Sequence, residues 1–281
     1  MSKLKTGLSG CSIELLENGF LRKTSASNDY NHRLSAQIDK QIQFSHFILK
    51  NIQTPKILHI NKTNLFYFDM EYISALSFDV YLETASKRDL DFILNTLFHY
   101  FDFLTDCHKM YSQDIARNKI IDKLHTLKNK TDYDNYIQYL IDWITREPIR
   151  IPKTFSHGDL TFSNILFHSN RLYFIDFLDV FIDTFLLDLI KLKQDLFYKW
   201  NIKIQNIKSS RLEQVYRYLW NKINEKYFFY LNSQEFKILD VLNALRILPY
   251  IDNSIIHNII QSNEIYKKFI DTNGRKIFTI S

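Results

Sequence analysis

The sequence predicts an α+β fold in two lobes, a β-rich first lobe with one main helix and a mostly helical second lobe that contains a β-hairpin. Three observations carry this. The first seventy residues are mostly short apolar runs separated by turn residues. From Ala85 onward apolar residues recur at helical spacing. The stretch "TFSHGDLTFSNILFHSNRLYFIDFLDVF", Thr154 to Phe181, interrupts that helical pattern with polar residues and a turn signal. The expected division is a lobe of residues 1–72 and a lobe of residues 73–281.

In chain order, "SIELLENGFLRKTS" reads as two strands around Glu17-Asn18-Gly19. "HRLSAQIDKQIQFSHFIL" places Leu34, Ile38, Ile42 and Phe47 at near-helical spacing. "KILHI" and "NLFYFDMEYI" give two more strands, with Asn61-Lys62-Thr63-Asn64 as their turn. Beyond Ala85, Leu90, Ile93, Leu94, Leu97, Phe101 and Leu104 form a long amphipathic stripe. Shorter helices are expected at Asn118–Leu127 and Tyr133–Ile144, followed by a break between Pro148 and Pro152. In the interrupting stretch the expected hairpin arms are Ile165–Phe167 and Leu172–Ile175, turning at His168-Ser169-Asn170. After Asp188 the helical signal returns. Ser210-Arg-Leu-Glu213 has capping-box spacing, Ser233 caps the next helix, and Asn253 or Ser254 caps the last.

The chain is long enough to bury a large core, and 46% hydrophobic content suits a packed globule. A formal charge of +5 is too small and dispersed to indicate nucleic acid, and no nucleic-acid-binding pattern appears. Cys11 and Cys107 are the only cysteines, so neither a disulfide framework nor a Cys-based zinc site is implied. The start lacks the apolar run of a signal peptide, and even "LYFIDFLDVFIDTFLLDLI" is cut by four Asp. A cytoplasmic protein without membrane insertion is expected.

The chemistry sits at the hairpin's ends. His157, Asp159 and Asn164 precede it; Asp176 and Asp179 follow it. Antiparallel pairing brings those ends together. Converging carboxylates repel unless a cation or a proton is shared. An Asn beside an Asp supplies hard oxygen ligands for Mg²⁺, which keeps several waters and prefers few carboxylates plus phosphates. A second Asp near that metal is placed to orient an attacking hydroxyl. These are the parts that phosphoryl transfer requires.

The order His157-Gly158-Asp159, Asn164, then Ile175-Asp176-Phe177 resembles the aminoglycoside phosphotransferase and choline kinase branch of the protein-kinase-like fold. The resemblance implies that Asp159 is the catalytic base, with His157 bracing the same loop, and that Asn164 and Asp176 ligate the metal. It also implies that Lys23 holds the nucleotide phosphates while Arg22 points to the other face of its strand. Gly7, Ser9 and Gly10 form the phosphate turn, though without the G-x-G-x-x-G pattern of protein kinases. Met70 gates the adenine pocket, and the backbone of Glu71 to Ile73 binds the adenine edge. Asp188 buttresses the catalytic loop. No Glu occurs between Glu17 and Glu71, so the usual helix carboxylate for the lysine is missing, and Gln37, Asp39 and Gln41 are the candidates in its place.

Gly158 stands where protein kinases carry an Arg, and Leu178 follows Asp176-Phe177 where they carry a Gly. Both departures imply a small-molecule kinase without an activation switch. The expected function is ATP- or GTP- and Mg²⁺-dependent phosphorylation of a hydroxyl on a sugar, amino sugar or amino alcohol. Asp179, Asp183, Tyr198 and Trp200 are the acceptor-site candidates, the last two as an aromatic wall. "RLSAQIDKQIQF" and "LLDLIKLKQDL" resemble relatives encoded with bacterial surface-polysaccharide genes. Two alternatives stand beside this reading: an aminoglycoside resistance enzyme, and a silent kinase-like module that binds nucleotide or protein.

Overall fold

The structure, a computed structural model, describes residues 2–4, 10–106, 108–248 and 253–273. Gly7, Ser9 and Cys107 lie outside the described residues. The chain divides into two compact units. The first comprises Met1–Phe103, His157–Val180 and Ser209–Leu219; the second comprises Leu104–Ser156, Phe181–Lys208 and Trp220–Ser281.

The first unit opens with a five-stranded antiparallel sheet. Its strands are β1 (Ser2–Leu4), β2 (Ser12–Leu15), β3 (Phe20–Thr24), β5 (Ile57–Asn61) and β6 (Tyr67–Glu71), in the order β1-β2-β3-β6-β5. Gly19, at φ +80°, allows the β2–β3 turn, and its N–H donates to Leu16 O at 3.0 Å. At the β5–β6 turn, the Thr63 N–H donates to Asn61 Oδ1 at 2.8 Å, an Asx turn.

Helix α1 (Asn31–Ser45) packs Leu34 and Ile38 against Phe68 and Met70 of the sheet. Its buried face is Leu34, Gln37, Ile38, Gln41 and Phe44. The apolar reading of this helix runs instead through Ile42 to Phe47, because it passes over the two buried glutamines. The helix ends before Phe47, whose ring turns to Phe103 with centroids 5.2 Å apart.

A second sheet surrounds the hairpin. Strands β10 (Ile165–His168) and β11 (Arg171–Phe174) pair in register from Ile165 with Phe174 to His168 with Arg171. The turn is therefore two residues, Ser169 and Asn170, both at positive φ, and His168 belongs to the arm. Two short strands flank the pair in the order β4-β11-β10-β7: β4 (Ile52–Gln53) lies parallel to β11, and β7 (Leu76–Ser77) antiparallel to β10. Two-residue strands carry no alternation, so the sequence gives no sign of them. Helices α2 (Phe78–Thr84) and α3 (Lys87–Asp106) follow, and α3 buries the whole expected stripe from Leu90 to Leu104.

In the second unit, β8 (Lys109–Met110) pairs with β9 (Pro152–Lys153). Between them run α4 (Gln113–His125), which starts earlier than expected because Ser112 caps it, and α5 (Asp134–Arg146). Helix α6 (Phe185–Leu196) begins before Asp188, capped by Thr184, and buries every residue except Lys193. After α7 (Trp200–Ile204) comes α8 (Ser210–Lys226), which continues out of the first unit. Its cap is Ser209, whose Oγ accepts from Leu212 N at 3.1 Å, one residue earlier than the capping-box spacing suggested. Past α9 (Phe228–Leu231), Ser233 caps α10 (Gln234–Ile247) as expected, accepting from Phe236 N at 3.1 Å. The final helical segment is two helices, α11 (Asn253–Ser262) and α12 (Glu264–Asn273). Asn263 separates them and its Oδ1 caps α12 through Ile265 N at 2.9 Å. The side chains of Asn253 and Ser254 lie outside those described. Among the described residues no helix is long and apolar enough to cross a membrane.

The hairpin turn carries a stability prediction. Ser169 sits at φ +49° and Asn170 at φ +56°, where only Asn and Gly are at ease. Replacing the pair with Asn-Gly (Ser169→Asn with Asn170→Gly) should raise unfolding stability by about 0.5–1 kcal/mol, read by denaturant titration.

Candidate active site

The site lies within the first unit and begins with Lys23 on β3. Alternation along the strand sends Lys23 toward α1 and Arg22 to the opposite face, as expected. There Arg22 pairs with Asp69 through Nε at 2.7 Å and Nη2 at 2.9 Å, and its guanidinium stacks on Tyr67. Lys23 is 3% exposed; its Nζ donates to Gln37 Oε1 at 3.1 Å and to Asp176 Oδ1 at 2.7 Å. Of the three candidates for the lysine's helix partner, Gln37 is therefore the one in place. Gln41 donates instead to Pro55 O at 2.8 Å, and Asp39 is exposed.

The ends of the hairpin meet through main-chain and side-chain bonds. Ile175 N donates to Asn164 O at 3.0 Å, and Leu178 N donates to His157 O at 2.9 Å. The His157 ring is fully buried. Its Nε2 lies 2.8 Å from Ile175 O, and its Nδ1 accepts from the Asp159 N–H at 3.3 Å. These partners fix the tautomer with the proton on Nε2. Burial drives its pKa from 6.5 down to about 4, against the opposing pull of nearby Asp159. His157 is thus an uncharged brace between the segment before the hairpin and the segment after it.

Asn164 sits at the end of a 3₁₀ turn. Its Nδ2 donates twice to Asp159, to the carbonyl at 2.8 Å and to Oδ2 at 3.0 Å. Both amide hydrogens are directed to Asp159, which leaves Oδ1 as the atom for a cation. Asp176 stands at φ +59°, its side chain 43% exposed, with Oδ1 on Lys23. One carboxylate and one amide oxygen make a hard-oxygen pair that suits Mg²⁺ completed by water and phosphate oxygens. Among the described residues no three His, Cys, Asp or Glu side chains gather as a closed metal cluster, and such a site needs none.

Gly158 has φ +87°, and a Cβ there would lie 2.6 Å from Leu178 O and 2.7 Å from a Val180 methyl. Lys40 of α1 donates to that same Leu178 carbonyl at 2.8 Å. Lys40 is a site-ordering residue that sequence reading missed, although it lies three positions after Gln37. An aromatic floor supports the brace: Phe177 lies 4.4 Å from the His157 ring and 5.1 Å from Phe44.

The remaining expected residues fall as follows. Gly10, at φ +75°, is exposed just before β2. Met70 lies in the core against α1, and Glu71 ends β6, its N–H donating to Lys56 O at 2.9 Å. Ile73 follows the strand end and is buried. Asp179 is exposed. The other acceptor candidates belong to the second unit. There Asp183 accepts from Ser156 Oγ at 2.9 Å. The Tyr198 hydroxyl donates to buried Asp240 at 2.9 Å, beside Lys193 at 2.6 Å, and burial pushes the phenol's pKa up. Trp200 starts α7, and Asp188 is fully buried in the first turn of α6.

Two measurements follow from this geometry. Gly158→Ala should lose at least about 2 kcal/mol of unfolding stability, from backbone strain and the Leu178 contact. His157 remains neutral while folded and titrates near 6.5 when unfolded, so between those values the unfolded chain binds the extra proton. Stability therefore falls as pH drops from about 6.5 toward 4. Between pH 7 and pH 5 a His157→Gln chain should lose about 2 kcal/mol less than wild type, measured by denaturant unfolding at both pH values.

With this geometry in place, the chain was compared with known proteins. The family model described as the phosphotransferase enzyme family (APH) matches residues 27–206. No curated protein sequence matches. Among solved structures, the GDP and kanamycin complex of APH(2")-IIia superposes with a TM-score of 0.60 at 14% identity, covering 95% of this chain and 93% of that one. A ternary complex of a thermostable APH(4)-Ia mutant with ADP and hygromycin B gives 0.58 at 14% identity, covering 97% and 94%. The streptomycin–ATP complex of APH(2")-IIa gives 0.57 at 14%, covering 89% and 84%. At such identities the structures speak for the α+β, protein-kinase-like fold, and the family model speaks for the family. Matched over more than half of its length, the chain belongs to the phosphotransferase enzyme family and is a small-molecule phosphotransferase.

Proposed function

We propose that this enzyme transfers the γ-phosphoryl group of ATP or GTP to a hydroxyl of a small metabolite in the cytoplasm. The observation that carries the reading is the gathering of Lys23, Asp159, Asn164 and Asp176 within one unit by direct hydrogen bonds and by the His157 brace. In this reading residues 1–72 hold the nucleotide, and residues 73–281 hold the catalytic and acceptor groups.

Each residue then has a definable task. Asp159, oriented by Asn164, accepts the proton of the attacking hydroxyl. Lys23 meets the α- and β-phosphates. Asn164 Oδ1 and the Asp176 carboxylate would hold Mg²⁺, which when bound neutralises charge on the transferring phosphoryl oxygens. His157, neutral at physiological pH, positions Asp159 and the segment leading to Asp176 without moving a proton itself. Gly10 approaches the phosphates by backbone, while Met70, Glu71 and Ile73 frame the adenine.

The acceptor is a sugar, amino sugar or amino alcohol, with surface-polysaccharide precursors as one source of such hydroxyls. A second reading has its own support: the similar solved structures hold kanamycin, hygromycin B and streptomycin. An exposed Asp179 suits an amine-bearing acceptor in either case. A silent module would fit the missing helix carboxylate, but Gln37 supplies Lys23 with a helix partner in its place.

A nucleotide-consumption screen with Mg²⁺ against sugars, amino sugars, amino alcohols and aminoglycosides separates the acceptor classes. Asp159→Ala should reduce turnover on the accepted substrate by at least about a hundredfold while leaving nucleotide affinity nearly unchanged. Turnover at the wild-type rate would remove Asp159 from the base role. Asp176→Ala should abolish the Mg²⁺ dependence of nucleotide binding in calorimetry; an unchanged dependence would remove it as a ligand.

A further inference from the structure

The ammonium of Lys23 is buried, and a buried charge needs a counter-charge as well as hydrogen bonds. The helix offers it none. No Glu lies between Glu17 and Glu71 in the sequence, Asp39 is exposed, and Gln41 is committed to Pro55. Gln37, 6% exposed, presents Oε1 at 3.1 Å from Nζ. An amide oxygen orients an ammonium but does not neutralise it. Among the described residues the one carboxylate at ion-pair distance from Lys23 is Asp176, at 2.7 Å.

We propose that Gln37 is a positioning residue that fixes Lys23 without neutralising it, so that Asp176 alone balances the lysine until nucleotide arrives. This rests on the roles given above to Lys23 and Asp176. It has a consequence that a helix carboxylate would prevent. Asp176 serves both the lysine and the cation site, so a cation that draws Asp176 away leaves a buried lysine unbalanced. Nucleotide phosphates supply the replacement charge. Metal and nucleotide are therefore coupled through one carboxylate: Mg²⁺ alone binds poorly, and nucleotide alone meets a lysine balanced only by the half-exposed Asp176, which the phosphates can displace.

Gln37→Glu tests this with a change of one atom and no change of shape. In the full chain, ATP affinity is measured by calorimetry with no metal present, Mg²⁺ affinity is measured with no nucleotide, and thermal unfolding verifies the fold. A permanent carboxylate on Lys23 should weaken metal-free ATP binding by about tenfold and strengthen binding of Mg²⁺ alone by a similar factor. Gln37→Met, which keeps the charge state but loses the orientation, should lower kcat by about tenfold with KM for ATP changed by no more than about twofold. Metal-free ATP affinity of Gln37→Glu within about twofold of wild type would overturn the role of Gln37 while leaving the functional reading in place. A wild-type chain that binds no nucleotide would overturn the functional reading and this inference with it.

Discussion

An uncharged imidazole in a fully buried position is the interaction on which the site depends. His157 accepts from the Asp159 N–H on one side and bonds the Ile175 carbonyl on the other. Those two residues lie on either side of a hairpin, and Ile175 immediately precedes Asp176. The ring thus sets the spacing between Asp159 and Asp176. It can do so only while neutral, since a second ring proton would face a donor at Nδ1 and remain buried. The aromatic rings of Phe174 and Phe177 exclude water from it, and that exclusion keeps it neutral.

The left-handed backbone positions serve the same end. At Gly158 the chain passes so close to its neighbour that a Cβ would lie 2.6 Å from the Leu178 carbonyl oxygen. Lys40 bonds that carbonyl from α1, while Lys23 bonds Asp176 from β3. Helix, strand and hairpin are therefore tied by contacts at two adjacent points of one loop. Any side chain at position 158 would have to move Leu178, and with it the Lys40 contact. Steric necessity accounts for the glycine in this structure, independently of what other kinases carry there.

Much of this was legible in the sequence. The residues that make the site are polar interruptions in an apolar stretch, and hairpin pairing alone brings Asn164 near Asp176. The strands β2, β3, β5, β6, β10 and β11 announce themselves through alternation or turn residues. What stayed hidden has a common physical cause. Strands β4 and β7 are two residues long, too short for any period. The inner face of α1 contains Gln37 and Gln41, and a reading that follows apolar residues rotates the helix toward Ile42 and Phe47. The cap of α8 moved to Ser209 because adjacent serines offer two equivalent frames. Lys40 bonds a backbone carbonyl, and such a partner leaves no mark on sequence.

The acceptor is a different matter, for a reason that lies in the reaction itself. Phosphoryl transfer asks for the same few charges in the same places, so a short motif is enough to suggest them in a sequence. The acceptor asks only for a complementary surface, which many side-chain sets supply. In the second unit the candidates already have internal partners: Tyr198 bonds Asp240, and Asp183 bonds Ser156. A side chain with a strong internal partner contributes to recognition mainly by shape, because a ligand must compete for its polar atoms. Asp179, by contrast, is exposed, and its carboxylate is open to solvent. Substrate choice is therefore a question of surface shape and charge, answered by changing the acceptor while the phosphoryl chemistry stays fixed.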